Sequence, residues 1–302
     1  MRPASAEAPA RAALAGNPSD GYGGRTLAVT LPAFRARVEV EPADRFDVAE
    51  PLLAAAFRRF ARGGVGADPP PLRMRFSTSI PRQVGLGGSS AIVVAALRAL
   101  CTAFETQLTP ATLAMAALEA ETEELGIEAG PQDRIVQSYG GLVAMDFDPR
   151  HGPGGAVRRL DEALLPPLFV AWQREPAASS NVFHEELRRR YDAGDPTVRR
   201  SMMRLARLAL EARDALQSRD QETFARCLDD SFDLRSEMAE LDPAHVKLVE
   251  LARSLGAAAN FTGSGGAVVG TIPEGIQPNE ITAAFDAEGC AVDAPAKLGL
   301  SG

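Results

Sequence analysis

The stretch PRQVGLGGSSA at residues 81–91 runs directly into the apolar segment AIVVAALRALCTAF. A strand-like run ending at Pro81, three glycines, a serine pair and then a helix-forming run leave the chain two choices. Gly85, Gly87 and Gly88 can adopt positive φ and turn consecutive N–H groups outward at a helix N-terminus, where partial positive charge collects and polyphosphate fits. Alternatively the segment is a strand-to-helix turn, with Ser89 or Ser90 at the N-cap position. The loop lacks the GK[ST] ending of a Walker A motif and does not match the GxGxxG dinucleotide fingerprint. Taken alone it allows both readings.

Size and composition narrow the function classes. A chain of 302 residues can bury two medium-sized cores without disulfides or structural metal. No uninterrupted apolar run approaches the roughly 20 residues of a membrane span. Residues 1–10, MRPASAEAPA, have no apolar core of a secretory signal and read as a disordered leader, which makes a cytoplasmic compartment the default. The three cysteines Cys101, Cys227 and Cys290 lie far apart in no metal-like spacing and read as buried free thiols. A formal charge of -8 argues against nucleic acid and anionic membrane as partners and favours a small molecule.

Along the chain, residues 11–48 read as a β-rich meander interrupted by the loop NPSDGYGG, followed by a helix over PLLAAAFRRFA and a breaker-rich loop GGVGADPPP. LRMRFSTSI is a strand with Leu72, Met74, Phe76 and Ile80 at even spacing. Thr109 and Pro110 give a helix start with cap and N1 proline in the preferred order. LVAMDFD and LLPPLFVAWQREP read as strands, and amphipathic helices occupy residues 180–240. Asp242 and Pro243 open another helix that Gly256 closes as C′, and NFTGSGGAVVG is a strand, a tight turn and a strand. The domain boundary is expected near residue 163, giving domains 11–163 and 164–302.

The segment AETEELGIEAGPQD at residues 120–133 supplies the carboxylates that nucleotide chemistry requires. Glu119, Glu121, Glu123 and Glu124 also read simply as a solvated acidic helix face, and Asp133 as a cap residue. A nucleotide kinase, however, needs one carboxylate for magnesium and another near the acceptor hydroxyl.

Together these segments resemble the GHMP kinase superfamily of galactokinase, homoserine kinase, mevalonate kinase and phosphomevalonate kinase. PRQVGLGGSSA resembles its phosphate-binding motif, which implies that Gly85, Leu86, Gly87, Gly88, Ser89, Ser90 and Ala91 line the ATP site. AETEELGIEAGPQD resembles the galactokinase segment carrying the magnesium-binding glutamate and the catalytic aspartate, which implies those roles for Glu121 and Asp133. RAALAGNPSDGYGG resembles the first family motif, pointing to Arg11 as catalytic and to Asn17, Asp20, Gly21 and Tyr22 as the grip on the acceptor. NFTGSGGAVVG resembles the third motif, here Thr262, Gly263, Ser264, Gly265 and Gly266. The implied fold is α+β with two domains, the N-terminal one like ribosomal protein S5 domain 2 and the C-terminal one a ferredoxin-like α/β sandwich.

GLGGSSA carries one residue more than the commonest GLGSSA form, so alignment from the helix side makes Ser90 the magnesium-facing hydroxyl, with Ser89 as the alternative register. Within the superfamily the wording looks most like the glucuronokinase branch, which implies ATP and Mg²⁺ as cofactors and the anomeric hydroxyl of D-glucuronate as acceptor. The segment between FRARVEVEP and LRMRFSTSI is shorter than the plant members'. The alternative acceptors are galacturonate, galactose, fucose, a heptose phosphate, mevalonate or homoserine. A uronate carboxylate calls for a guanidinium fork, and Arg134, Arg82 and Arg25, in that order, lie beside the motifs. His151, His184 and His245 are isolated and receive no role.

Overall fold

The computed structural model describes residues 1–63, 69–174 and 181–294; the central part of the breaker-rich loop at 64–68 and the side chain of His184 lie outside the described residues. The chain divides into two compact units that interleave in sequence. The first comprises Met1–Ala10, Pro32–Ile80 and Gly87–Gly140, and the second Arg11–Leu31, Pro81–Leu86 and Gly141–Gly302. A single boundary near residue 163 does not describe this arrangement, because two long strands, β1 (Ala4–Ala15) and β2 (Arg25–Pro42), each contribute residues to both units.

In the first unit β2 alternates, with Ala36, Val38 and Val40 buried and Arg35, Arg37 and Glu39 exposed, so one face is committed to a core. Helix α1 (Pro51–Arg62) follows, and β3 (Leu72–Thr78) pairs antiparallel with β2, Pro42 opposite Leu72 and Ala36 opposite Thr78. Leu72 and Met74 point inward as the alternation requires, whereas Phe76 is left exposed beyond the helical cover. Helix α2 (Gly88–Ala103) is apolar on every side, and its residues from Ser90 to Leu97 are all buried. A helix of that kind must be surrounded; α1, α3 (Pro110–Thr122) and α4 (Gln132–Tyr139) all pack on it. Thr109 caps α3 as its sequence indicates, accepting the Thr112 N–H at 3.1 Å.

The expected leader is structured. Residues from Ala4 onward are strand, Ala8 and Ala10 are buried, and the Arg98 guanidinium donates to the Glu7 carbonyl at 2.8 Å. Small side chains disguised this as a tail: alanine at alternate positions fits beneath helices where larger residues would not.

In the second unit β4 (Leu142–Asp146) pairs antiparallel with the start of β2, and β5 (Ala156–Leu160) adds to its far side. A separate four-stranded sheet contains β6 (Leu168–Gln173). The chain then forms α5 (Asn181–Asp192), α6 (Pro196–Ser218), α7 (Gln221–Met238) and α8 (Pro243–Ser254) before returning as β7 (Ala259–Phe261) and β8 (Ala267–Thr271). Helix α9 (Pro278–Ala287) and β9 (Cys290–Asp293) complete it, with strand order β7-β8-β6-β9 and antiparallel pairing throughout. Phe169, Phe232, Phe261 and Phe285 anchor the core between this sheet and its helices. Asp195, Asp220 and Asp242 cap α6, α7 and α8, and Gly256 takes φ +77° just after α8. Sequence periodicity did not reveal β5, whose AVRRL is largely exposed, or α9 and β9.

Deleting residues 1–9 should therefore lower the melting temperature by several degrees, corresponding to about 2 kcal/mol or more of lost burial and hydrogen bonding. Thermal denaturation of the truncated chain checks this; an unchanged Tm would restore the leader.

Candidate active site

The sequence-predicted residues gather into two sets, one in each unit. In the first, Gly87 is the N-cap of α2 at φ +72° and Gly88 is its first helical residue. The serines therefore do not cap: Ser89 is exposed in the first turn, and Ser90 is buried with its hydroxyl donating back to the Gly87 carbonyl at 3.0 Å. Gln137 Nε2 donates to the same carbonyl at 2.8 Å, which fixes the turn from the α4 side. A Cβ on Gly88 would meet nothing closer than Ile80 Cγ2 at 3.6 Å. Packing thus tolerates a side chain at 88, and its absence leaves the helix end bare for a ligand to approach.

The four acidic residues of the next segment separate cleanly. Glu124 pairs with Arg58 and Arg62, Glu119 with Arg59, and Glu123 is exposed. Glu121 alone is turned fully inward, at 0% exposure. Its Oε2 accepts from Arg134 Nε at 2.6 Å and lies 2.5 Å from Arg134 Nη2, whereas its Oε1 is buried without a hydrogen-bond partner. A buried carboxylate oxygen in that state is costly unless something binds it. Such an oxygen suits a hard divalent cation that takes few protein ligands and keeps phosphate oxygens and water for the rest. No cluster of three or more His, Cys, Asp or Glu side chains able to hold a metal occurs among the described residues. Asp133 is half-buried in the first turn of α4, where the helix end favours negative charge, with Gln132 Nε2 3.4 Å away. Arg134, expected to read a substrate carboxylate, is instead held by Glu121 and the Gly130 carbonyl.

The second set is built from backbone brought into close contact. Arg11 is 4% exposed and its Nη1 donates to the Gly85 carbonyl at 2.6 Å and the Thr262 carbonyl at 2.8 Å. The Thr262 hydroxyl donates to Gly85 O at 3.0 Å, and Arg11 N donates to Leu86 O at 3.1 Å. A Cβ on Gly263 would sit 2.4 Å from Gly85 O, and one on Gly85, at φ +76°, would sit 2.7 Å from Gly265 O. Gly266 meets Val84 in the same way. The third motif is thus a clamp on the loop 81–86, and Arg11 is the cross-tie. Ser264 sits half-buried in the turn. His245 packs beneath it, its Nδ1 2.8 Å from where a Gly265 Cβ would be, and burial pushes its pKa down while Asp242 opposes the shift.

The acceptor loop runs from Asn17, which is buried, into a short helical turn over Ser19–Tyr22. Arg188 of α5 donates to the Gly21 carbonyl at 2.6 Å and lies 4.4 Å from the centroid of the Tyr22 ring; Tyr191 contacts the same ring at 4.6 Å. Of the other arginines beside the motifs, Arg25 pairs with Asp146 at 2.7 Å and Arg82 is exposed.

Sequence reasoning missed Arg235. It is fully buried on α7 against the Phe261 ring, and burial together with the charge of Arg11 lowers its pKa to about 10 while Asp20 pulls the other way. Its signal was a cation at the i+4 position from the buried Ser231, inside an apolar stripe.

Arg134→Met should cost about 3–5 kcal/mol of stability by stranding the Glu121 carboxylate in the core, and the double variant with Glu121→Gln should recover most of it. Urea denaturation of both variants decides the matter; equal loss in the double variant would mean that the pair is not coupled.

Comparison with known proteins identifies the family. Residues 51–141 match the family described as GHMP kinases N terminal domain, and residues 212–290 match GHMP kinases C terminal. The chain is 37% identical over 306 residues to a probable glucuronokinase 2 and 36% identical over 310 residues to glucuronokinase 1, both of Arabidopsis thaliana; each match covers 88% of this chain and 83% or 84% of the relative. Among solved structures it is similar to Lactococcus lactis galactokinase in complex with galactose, with a TM-score of 0.82 at 15% identity over 97% of this chain and 92% of that one. Methanococcus jannaschii mevalonate kinase gives a TM-score of 0.76 at 15% identity over 96% of both chains. With both parts of the family matched in order and relatives this similar along most of its length, the chain belongs to the GHMP kinases.

Proposed function

We propose that this chain transfers the γ-phosphoryl group of ATP to the anomeric hydroxyl of D-glucuronate, giving glucuronate 1-phosphate. The observation that carries the kinase reading is the buried Glu121 carboxylate, whose Oε1 lacks a partner in the unit where a glycine-opened helix begins. The acceptor reading is supported by the two glucuronokinase relatives.

Phosphoryl transfer asks little covalent chemistry of a protein and much positioning and charge neutralisation. The first-turn N–H groups of α2, from Gly88 to Ser90, have no intrahelical acceptors and are suited to hold phosphate oxygens. Glu121 and Ser90 would hold Mg²⁺, and Arg134 keeps the second carboxylate oxygen of Glu121 fixed. When bound, the metal neutralises charge on the phosphate oxygens. Asp133 takes or orients the proton of the acceptor hydroxyl. Asn17, Asp20, Gly21 and Tyr22 grip the sugar ring, while Arg82 is a weaker candidate at the edge of the phosphate loop. Arg11 serves mainly as a positioning residue, because its Nη1 is spent on the Gly85 and Thr262 carbonyls. Thr262 through Gly266 hold the loop that leads into the nucleotide site.

A coupled ADP-release assay across uronic acids, neutral hexoses, mevalonate and homoserine should show turnover greatest with D-glucuronate, and NMR of the product should place phosphate on C1. Equal turnover of glucose, or phosphate on another carbon, would move the acceptor elsewhere in the family.

In the same assay Glu121→Gln should raise the magnesium concentration for half-maximal activity by about tenfold or more, on the scale of losing one charged ligand, whereas Glu123→Gln behaves as a surface change. Matching responses of the two variants would remove Glu121 from the metal site.

A further inference from the structure

A kinase that selects a uronate over the parent hexose must recognise one group, the C6 carboxylate, and a guanidinium fork is the side chain best shaped to do so. This inference rests on the proposal that the acceptor is a uronate. Most of the arginines near the motifs already have defined work. Arg11 is spent on two carbonyls, Arg134 on Glu121, and Arg25 on Asp146. Arg235 is fully buried beneath the Phe261 ring.

Arg188 differs from all of these. It is the first of three consecutive arginines on α5, and the other two are each paired with a carboxylate at hydrogen-bond distance. Arg189 makes a two-pronged pair with Glu186 at 2.9 and 2.7 Å, and Arg190 bonds Asp195 at 2.8 Å as well as the Met238 carbonyl. Arg188 spends Nη2 on the Gly21 carbonyl and lays its plane over Tyr22, so it is oriented by two residues of the acceptor loop itself. Among the described residues its carboxylate partner is Asp192, one helical turn on, at 3.7 Å from Nη1, with side-chain exposures of 39% and 62%. That separation is too long for a hydrogen bond, and an exposed i,i+4 pair contributes little. A substrate carboxylate can displace it at small cost.

We propose that Arg188 is the specificity-determining residue that reads the acceptor's carboxylate, with the Gly21 carbonyl and the Tyr22 ring holding its guanidinium in place. No covalent step is involved. The loop that grips the ring hydroxyls would then carry, through one hydrogen bond and one stacked face, the group that recognises the substrate's charge.

The test compares kcat/KM on D-glucuronate and D-glucose for the unaltered protein, Arg188→Met, Arg188→Gln, Arg188→Lys and the surface variant Arg189→Met. The preference for glucuronate should fall about 30- to 100-fold in Arg188→Met, chiefly through a raised KM for glucuronate. Arg188→Lys should keep part of the preference, and Arg189→Met all of it. Arg188→Gln retains a donor for the Gly21 carbonyl and should lose the preference like Met, which guards against loss of the loop's structure. An undiminished preference in Arg188→Met and Arg188→Gln would overturn the assignment while leaving the uronate reading intact. An equal fall on both sugars in both variants would also overturn it, reducing Arg188 to a brace for the loop. Absence of any preference in the unaltered protein would defeat the uronate reading and this inference with it.

Discussion

The Gly85 carbonyl is the point on which the second unit's functional set depends. It accepts from Arg11 Nη1 and from the Thr262 hydroxyl, and it faces Gly263 so closely that any Cβ there would overlap it. Three chain segments far apart in sequence are thereby joined through one oxygen, and each is constrained in kind. Residue 263 must be glycine for space and residue 85 for its positive φ. Residue 11 must reach two carbonyls from a buried position, which favours a rigid planar fork over a flexible ammonium. The loop leading into α2 is therefore specified by backbone contact more than by side-chain identity.

That arrangement buries positive charge. Arg11 and Arg235 lie near enough for the charge of Arg11 to weaken the hold of Arg235 on its proton, with Asp20 compensating in part. At about 10, the lowered value still leaves Arg235 protonated at neutral pH. The first unit shows the opposite sign in Glu121, whose carboxylate is only half answered by Arg134. Burial thus sets a different charge balance in each unit: two guanidinium groups within reach of each other's charge in one, and a carboxylate bound through a single oxygen in the other.

Much of this was legible in the sequence because glycine and proline mark backbone geometry wherever they occur. The glycine-opened helix, the third-motif turn, the Thr109 and Asp242 caps and the Gly256 stop are all local and all present. What escaped is what depends on facing. Composition alone reads the four glutamates as one solvated face, and only the family resemblance singled out Glu121, which lies four residues after the buried Ala117 on the inner stripe of α3. The stripe is lined mainly by alanine, which carries too little hydrophobic signal to announce itself. The alanine-rich strand at 4–10 was read as a tail for the same reason. Arg188 could not be read from the chain at all, since its contact with Gly21 spans 167 residues.

Of the 32 basic residues only Lys247 and Lys297 are lysines, and the basic residues within or beside the motif segments, Arg11, Arg25, Arg82 and Arg134, all carry a guanidinium. A guanidinium does not lose its proton in the physiological range, and it offers directional pairs of donors where an ammonium offers a point charge. The second unit, which carries the third motif, can therefore hold Arg11 and Arg235 within reach of each other's charge without either shedding it to relieve repulsion. Carbonyls and aromatic faces are among the groups that orient the arginines of this unit: two carbonyls at Arg11, the Phe261 ring at Arg235, a carbonyl and the Tyr22 ring at Arg188. Their orientation is therefore set by geometry and not by pH, and it persists across the range in which a histidine would change charge.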